Sequence, residues 1–157
     1  KHPVYDVNYT EGIFTGYRWY DAKNIEPLFP FGHGLSYTNF EYSDLQVSKE
    51  QCFAQEKIEV RCTIRNKGSV AGKEVVQLYI SDVASSVPRP PKELKAFSKV
   101  MLQPNEQTTV SWTLDSTAFA FWSTQEHQWK VEPGEFTILI GASSRDIRLK
   151  KNITVLQ

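Results

Sequence analysis

From Phe40 onward the chain holds no long run with the 3.6-residue period of a helix. Short segments instead alternate apolar and polar side chains and end on turn residues, which restricts this part of the chain to paired strands. The clearest segment sets Ile58, Val60, Cys62 and Ile64 against Glu59, Arg61, Thr63 and Arg65, the pattern of a strand with one face buried. Leu45 with Val47, then Val76, Leu78 and Ile80, then Val110, Trp112 and Leu114 repeat it. Residues 92–102 read as extended through Leu94, Phe97, Val100 and Leu102, and Pro104-Asn105-Glu106 predicts a hairpin from there into residues 107–114. Asn66-Lys67-Gly68-Ser69 and Glu132-Pro133-Gly134-Glu135 carry turn chemistry, and the second is flanked by extended residues 127–131 and 136–142. Asp115 or Ser116 is placed to cap one helical turn, and residues 147–156 form a last strand.

About seven short strands separated by turns predict an all-β antiparallel sandwich of immunoglobulin-like or fibronectin type III-like topology. The first 37 residues do not belong to that pattern. They hold Tyr5, Tyr9, Phe14, Tyr17, Trp19, Tyr20, Phe29, Phe31 and Tyr37, too many aromatics for a disordered leader and too few residues to bury them alone. Ile13, Tyr17 and Tyr20 fall at helical spacing, but Gly12 and Gly16 limit any helix to a short turn. Residues 27–40, PLFPFGHGLSYTNF, are too rich in proline and glycine for a helix or a central strand and read as a junction. The expected division is an aromatic arm, residues 1–37, and a sandwich, residues 38–157.

Composition excludes several function classes. Lys plus Arg equals Asp plus Glu at 18 each, so no net field attracts nucleic acid or an anionic membrane. Cys52 and Cys62 are too few for a disulfide framework or a zinc site and are expected to be free thiols. His2, His33 and His127 are scattered, and neither a metal nor a cofactor is expected. Glu11 and Asp21 lie near Arg18 in the arm and raise the question of a glycosidase carboxylate pair. An ion pair of one of them with Arg18 is the preferred reading, so no catalytic residue is assigned. Trp112 is in phase with the core, whereas Trp122 and Trp129 lie near loops and, with Trp19, Arg18 and Arg89, are candidates for a carbohydrate or interdomain contact. Asn8 and Asn152 head N-x-T triplets and are candidate glycosylation sites. The chain starts at Lys1, which suggests a processed chain or a fragment.

The run YTEGIFTGYRWYD at residues 9–21 with PLFPFGHGLSYT at residues 27–38 resembles the C-terminal signature of family 3 glycoside hydrolases, the β-glucosidases, β-xylosidases and their relatives. The runs GKEVVQLYISD (72–82), VPRPPKELKAF (87–97) and VEPG (131–134) resemble the fibronectin type III-like domain that closes many of those enzymes. The resemblance implies a retaining β-glycosidase parent whose barrel and α/β sandwich domains supply nucleophile and acid/base upstream of this region. Residues up to about Tyr20 would then be the tail of the α/β domain, and those from Asp21 to about Tyr37 the linker. It also implies that the chain alone is inactive, that its partners are the upstream catalytic domains, and that it braces them. Binding of a polysaccharide through Trp122 and Trp129 is the alternative. Compartment stays open, with a secreted or periplasmic setting favoured over the cytoplasm.

Overall fold

The computed structural model describes residues 6–157; His2 and Tyr5 lie outside them. Among the described residues ten strands follow one short helix, α1 (Tyr17–Ala22). They are β1 (Phe40–Val47), β2 (Gln51–Phe53), β3 (Ile58–Asn66), β4 (Gly72–Asp82), β5 (Glu93–Leu102), β6 (Gln107–Leu114), β7 (Phe121–Ser123), β8 (Gln128–Lys130), β9 (Gly134–Gly141) and β10 (Ile147–Leu156). A sheet in the order β1-β3-β6 packs on a sheet in the order β2-β10-β9-β4-β5, and β7 with β8 makes a small separate ribbon. All pairings are antiparallel except β2 with β10. This is the expected all-β sandwich.

The core forms where the alternating faces meet. Ile58, Val60, Cys62 and Ile64 on β3 face Val76, Leu78 and Ile80 on β4, with Ile138 and Ile140 of β9 beside them, all buried. Trp112 joins this core, as its phase on β6 requires. Cys52 and Cys62 are free and buried, and burial pushes the Cys62 thiol up to about 11. Asp115 accepts from the Thr117 backbone N–H and caps the single 3-10 turn Ser116–Ala118, as its residue type predicts.

The hairpin expected at Pro104-Asn105-Glu106 does not form. β5 is an edge of the larger sheet and β6 an edge of the smaller one, so the turn crosses between sheets. Asn66 at the end of β3 causes the switch. Its backbone N–H donates to Glu106 O at 2.9 Å and its carbonyl accepts from Asn105 N at 3.0 Å, drawing the chain onto β3. Its side-chain amide donates to Val70 O (2.8 Å) and Leu102 O (3.1 Å) and accepts from Thr38 Oγ1 (2.5 Å) and Gly68 N (3.0 Å). Likewise β8 pairs with β7 rather than with β9, because Trp122 and Trp129 meet as a cross-strand pair.

The arm lies on the outer face of the larger sheet. Tyr17 stacks on Phe31 (centroids 4.9 Å apart), meets Tyr79 edge-on at 5.9 Å and accepts the Leu94 backbone N–H at 2.8 Å. That cover explains why β4 is buried on both faces, Gln77 and Tyr79 included, where its sequence alternates for one face only. Asp21 is held by Lys92 at 2.6 Å and Arg145 at 2.7 Å. α1 starts only after Gly16, which has φ 55°, so Ile13 lies outside the helix.

Gly32 latches the junction to the sheet. Its φ is 79°, and an added Cβ would land on the Gln77 side chain, whose amide donates to Ala142 O at 2.6 Å. Ser144 N–H donates to the neighbouring Phe31 O at 2.9 Å. Gly32→Ala is therefore expected to cost about 2 kcal/mol and to speed proteolysis within the arm. A limited trypsin digest followed by mass spectrometry checks this; unchanged arm cleavage would contradict the latch.

Candidate functional site

Four of the five contact residues expected from sequence line one groove of about 890 Å³. The β7–β8 ribbon supplies Trp122 and Trp129, 48% and 69% exposed, with ring centroids 5.7 Å apart and planes at 76°. Their alternation across a tight ribbon, with His127 at φ 52° in the turn, puts both indoles on the same side. Residues 87–90 form a second wall, and Ile13 and Arg18 of the arm contribute a third. Trp19 is not part of the groove; it is 38% exposed, with the Lys23 ammonium 5.0 Å from its ring centroid.

Arg89 is an anchor rather than an open donor. Its side chain is 6% exposed and pairs with Asp82 (3.0 Å) and Glu93 (3.1 Å) while donating to Phe119 O (2.9 Å) and Ala120 O (3.4 Å). The guanidinium thus ties the proline-rich loop of residues 82–91 to the entry of β7, and Ser86 ties the loop tip to the Glu132 carboxylate. Arg18 also pairs with Glu93, at 3.2 Å, and Lys95 with Glu93 at 3.5 Å. Burial works to raise the Glu93 carboxyl, but Lys95, Arg89 and Arg18 outweigh it and hold it below the usual range. Burial in turn lowers the Lys95 ammonium, with Glu93 only partly offsetting it.

The expected ion pair of Arg18 with Glu11 or Asp21 is replaced by other partners. Arg18 reaches Glu93, and Asp21, its side chain only 5% exposed, is neutralised by Lys92 and Arg145. A carboxylate clamped between two cations is poorly suited to acid/base work, because neither solvent nor substrate reaches it freely. His33 is exposed and stacks on Phe29 at 5.6 Å, and among the described residues no three His, Cys, Asp or Glu gather as metal ligands. Asn8 and Asn152 are both exposed, the latter on β10 with its amide joined to Glu135 and Thr137. Lys95, Ile13 and Gln125 also line the groove and were not anticipated; only the spacing of the two tryptophans around a turn signals a ribbon there.

A second surface lies on the arm. Leu28, Leu35 and Tyr37 are almost wholly exposed, and Phe29, Val7, Tyr9 and Ile13 are more than half exposed. Apolar residues so concentrated on one short segment mark an interaction surface.

Residues 74–144 match the fibronectin type III-like domain family. The sandwich has the fibronectin type III-like fold. With its arm it is 60% identical over 149 residues to thermostable beta-glucosidase B of Acetivibrio thermocellus, a match covering 95% of this chain and 20% of that protein. Similarity to beta-glucosidase BoGH3A of Bacteroides ovatus is 50% over 140 residues, covering 89% and 19% respectively. The crystal structure of a GH3 beta-glucosidase from Bifidobacterium adolescentis superposes with a TM-score of 0.87 at 40% identity, over 92% of this chain and 21% of that one. Beta-glucosidase 3B of Thermotoga neapolitana gives a TM-score of 0.87 at 43% identity, over 95% and 20%. The chain spans about a fifth of the length of these relatives and matches their C-terminal portion, so the fibronectin-like domain and its arm together correspond to that region of family 3 β-glucosidases.

Proposed function

We propose that this chain is the non-catalytic C-terminal part of a retaining family 3 β-glycosidase, and that the fibronectin-like domain braces the catalytic domains of that enzyme. The parent would hydrolyse terminal β-linked glucose or a similar sugar. Residues 1–37 would be the tail of the upstream α/β domain with its linker, and residues 38–157 the brace. The observation that carries this reading is the two-sided arm. One side is latched to the larger sheet through Tyr17, Asp21 and Gly32, while the other leaves Leu28, Phe29, Leu35 and Tyr37 in solvent. A segment held rigid with its apolar residues outward is built to meet another body.

Mixing the chain with a separately produced upstream portion tests this. Association and restored hydrolysis of an aryl β-glucoside are expected, and Leu28→Ser with Leu35→Ser should weaken association by about tenfold or more. Both side chains are exposed, so the double variant should keep the fold of the isolated chain. No association at micromolar concentration would overturn the brace.

A second reading, binding of a polysaccharide, is favoured by one observation: Trp122, Trp129 and Arg18 share a single groove. It is compatible with the brace, since the groove and the exposed side of Leu28 and Leu35 are lined by different residues.

A further inference from the structure

We infer that the groove beside the β7–β8 ribbon takes the end of a single, soluble, neutral oligosaccharide and not the flat face of a crystalline polysaccharide. The inference rests on the carbohydrate-binding reading and narrows it to a ligand form. Its first support is the angle between the indoles. Successive rings of an extended glucan present apolar C–H faces in nearly one plane, and a platform for them needs coplanar aromatics. Trp122 and Trp129 stand at 76° with centroids 5.7 Å apart, which makes a corner. One pyranose ring can lie on one indole face while the other indole closes its side; a crystal face could lie flat on only one of the two indoles, with the other standing in its way.

Charge narrows the ligand further. The cations lining the groove are Arg18, Arg89 and Lys95, and each already has Glu93 as a carboxylate partner. An anionic ligand would have to break these pairs, whereas a neutral polyol would not. Thr124 and Gln125, both exposed at the mouth, offer a hydroxyl and an amide to sugar hydroxyls. The volume of about 890 Å³ lies in the range of sites that enclose small ligands, and is larger than one hexose needs. The walls are preformed, because Arg89 fixes the loop beside the ribbon, so little ordering opposes binding.

The chain itself serves for the test, with its tryptophans as reporters. Cellotetraose and laminaritetraose are titrated to about 10 mM by intrinsic fluorescence and calorimetry, and retention on crystalline cellulose is measured in parallel. Saturable binding of at least one tetrasaccharide near millimolar Kd is expected, weakened about tenfold or more by Trp129→Ala, unchanged by Phe97→Ala outside the groove, and with no retention on the crystalline polymer. Equal affinity in Trp129→Ala would overturn the assignment to this groove. Retention on cellulose without soluble binding would overturn the corner while leaving carbohydrate binding standing. Neither form of binding would overturn both, and none of these outcomes bears on the brace, whose test reads association with the upstream portion.

Discussion

Asn66→Leu is expected to lower the stability of the chain by about 3–4 kcal/mol, one of the two largest single-residue effects foreseen. The Asn66 side chain is fully buried and makes four hydrogen bonds, to Val70, Leu102, Thr38 and Gly68. Leucine has similar volume, so the loss comes from the partners. The Leu102 carbonyl and the Thr38 hydroxyl sit in buried residues and would lose an Asn66 partner, at about 1–3 kcal/mol for each group left without a replacement. With a urea slope of roughly 2 kcal/mol/M, the midpoint should fall by roughly 1.5–2 M at unchanged slope. The same substitution keeps the backbone bonds of residue 66 to Glu106 and Asn105 but loosens the entry to the turn, because the Leu102 carbonyl loses the Asn66 amide. A loss under about 1 kcal/mol would mean that backbone pairing alone sets the crossing.

Arg89→Leu should cost about 3 kcal/mol near neutral pH. Removing one member of a buried ion network usually costs about 3–5 kcal/mol, because the opposite charge is left without its partner. Here the lower end applies: Asp82 loses its cation, but Glu93 keeps Lys95 and Arg18. The sign of the pH dependence follows from Glu93. Its folded pKa is held below the ordinary 4.5, so the native chain carries that stabilisation above the carboxylate range and loses it as pH falls through the lowered value. The variant lacks part of it, so the gap in thermal midpoint between native and variant chains should narrow from pH 7 to about pH 4. A gap that stays constant instead would place the role of Arg89 in packing over Phe121, whose ring centroid lies 5.9 Å from the guanidinium carbon.

The parts of the fold legible in the sequence are those set by one strand's own alternation. β3 and β6 read correctly because each has one buried and one solvent face, so the period of two survives. β4 is half legible: its alternation shows the inner face but not that the arm covers Gln77 and Tyr79 on the outer one. The destination of β5 was not legible. Pro104-Asn105-Glu106 has the chemistry of a turn, but which sheet receives the next strand depends on Asn66, about forty residues earlier. The groove was visible only as parts: the tryptophans and arginines could be named, whereas their meeting depends on the β7–β8 ribbon and on where the arm lies. The ion pairs of Arg18 and Asp21 show the same limit, because in each the partner is remote in sequence.

The position of β10 has a consequence for how the chain comes into being. It is the last of the ten strands to leave a ribosome, yet it lies inside the larger sheet, between β9 and β2. Until it arrives, β9 has a bare edge, β2 has no neighbour, and the core lacks Ile153 and Val155. Joining β2 to β10 also closes a loop of about a hundred residues, with Lys151 reaching Glu50 at 2.5 Å. Closure of the larger sheet therefore waits for β10, and a chain stalled before Ile147 would expose a sticky strand edge to its neighbours.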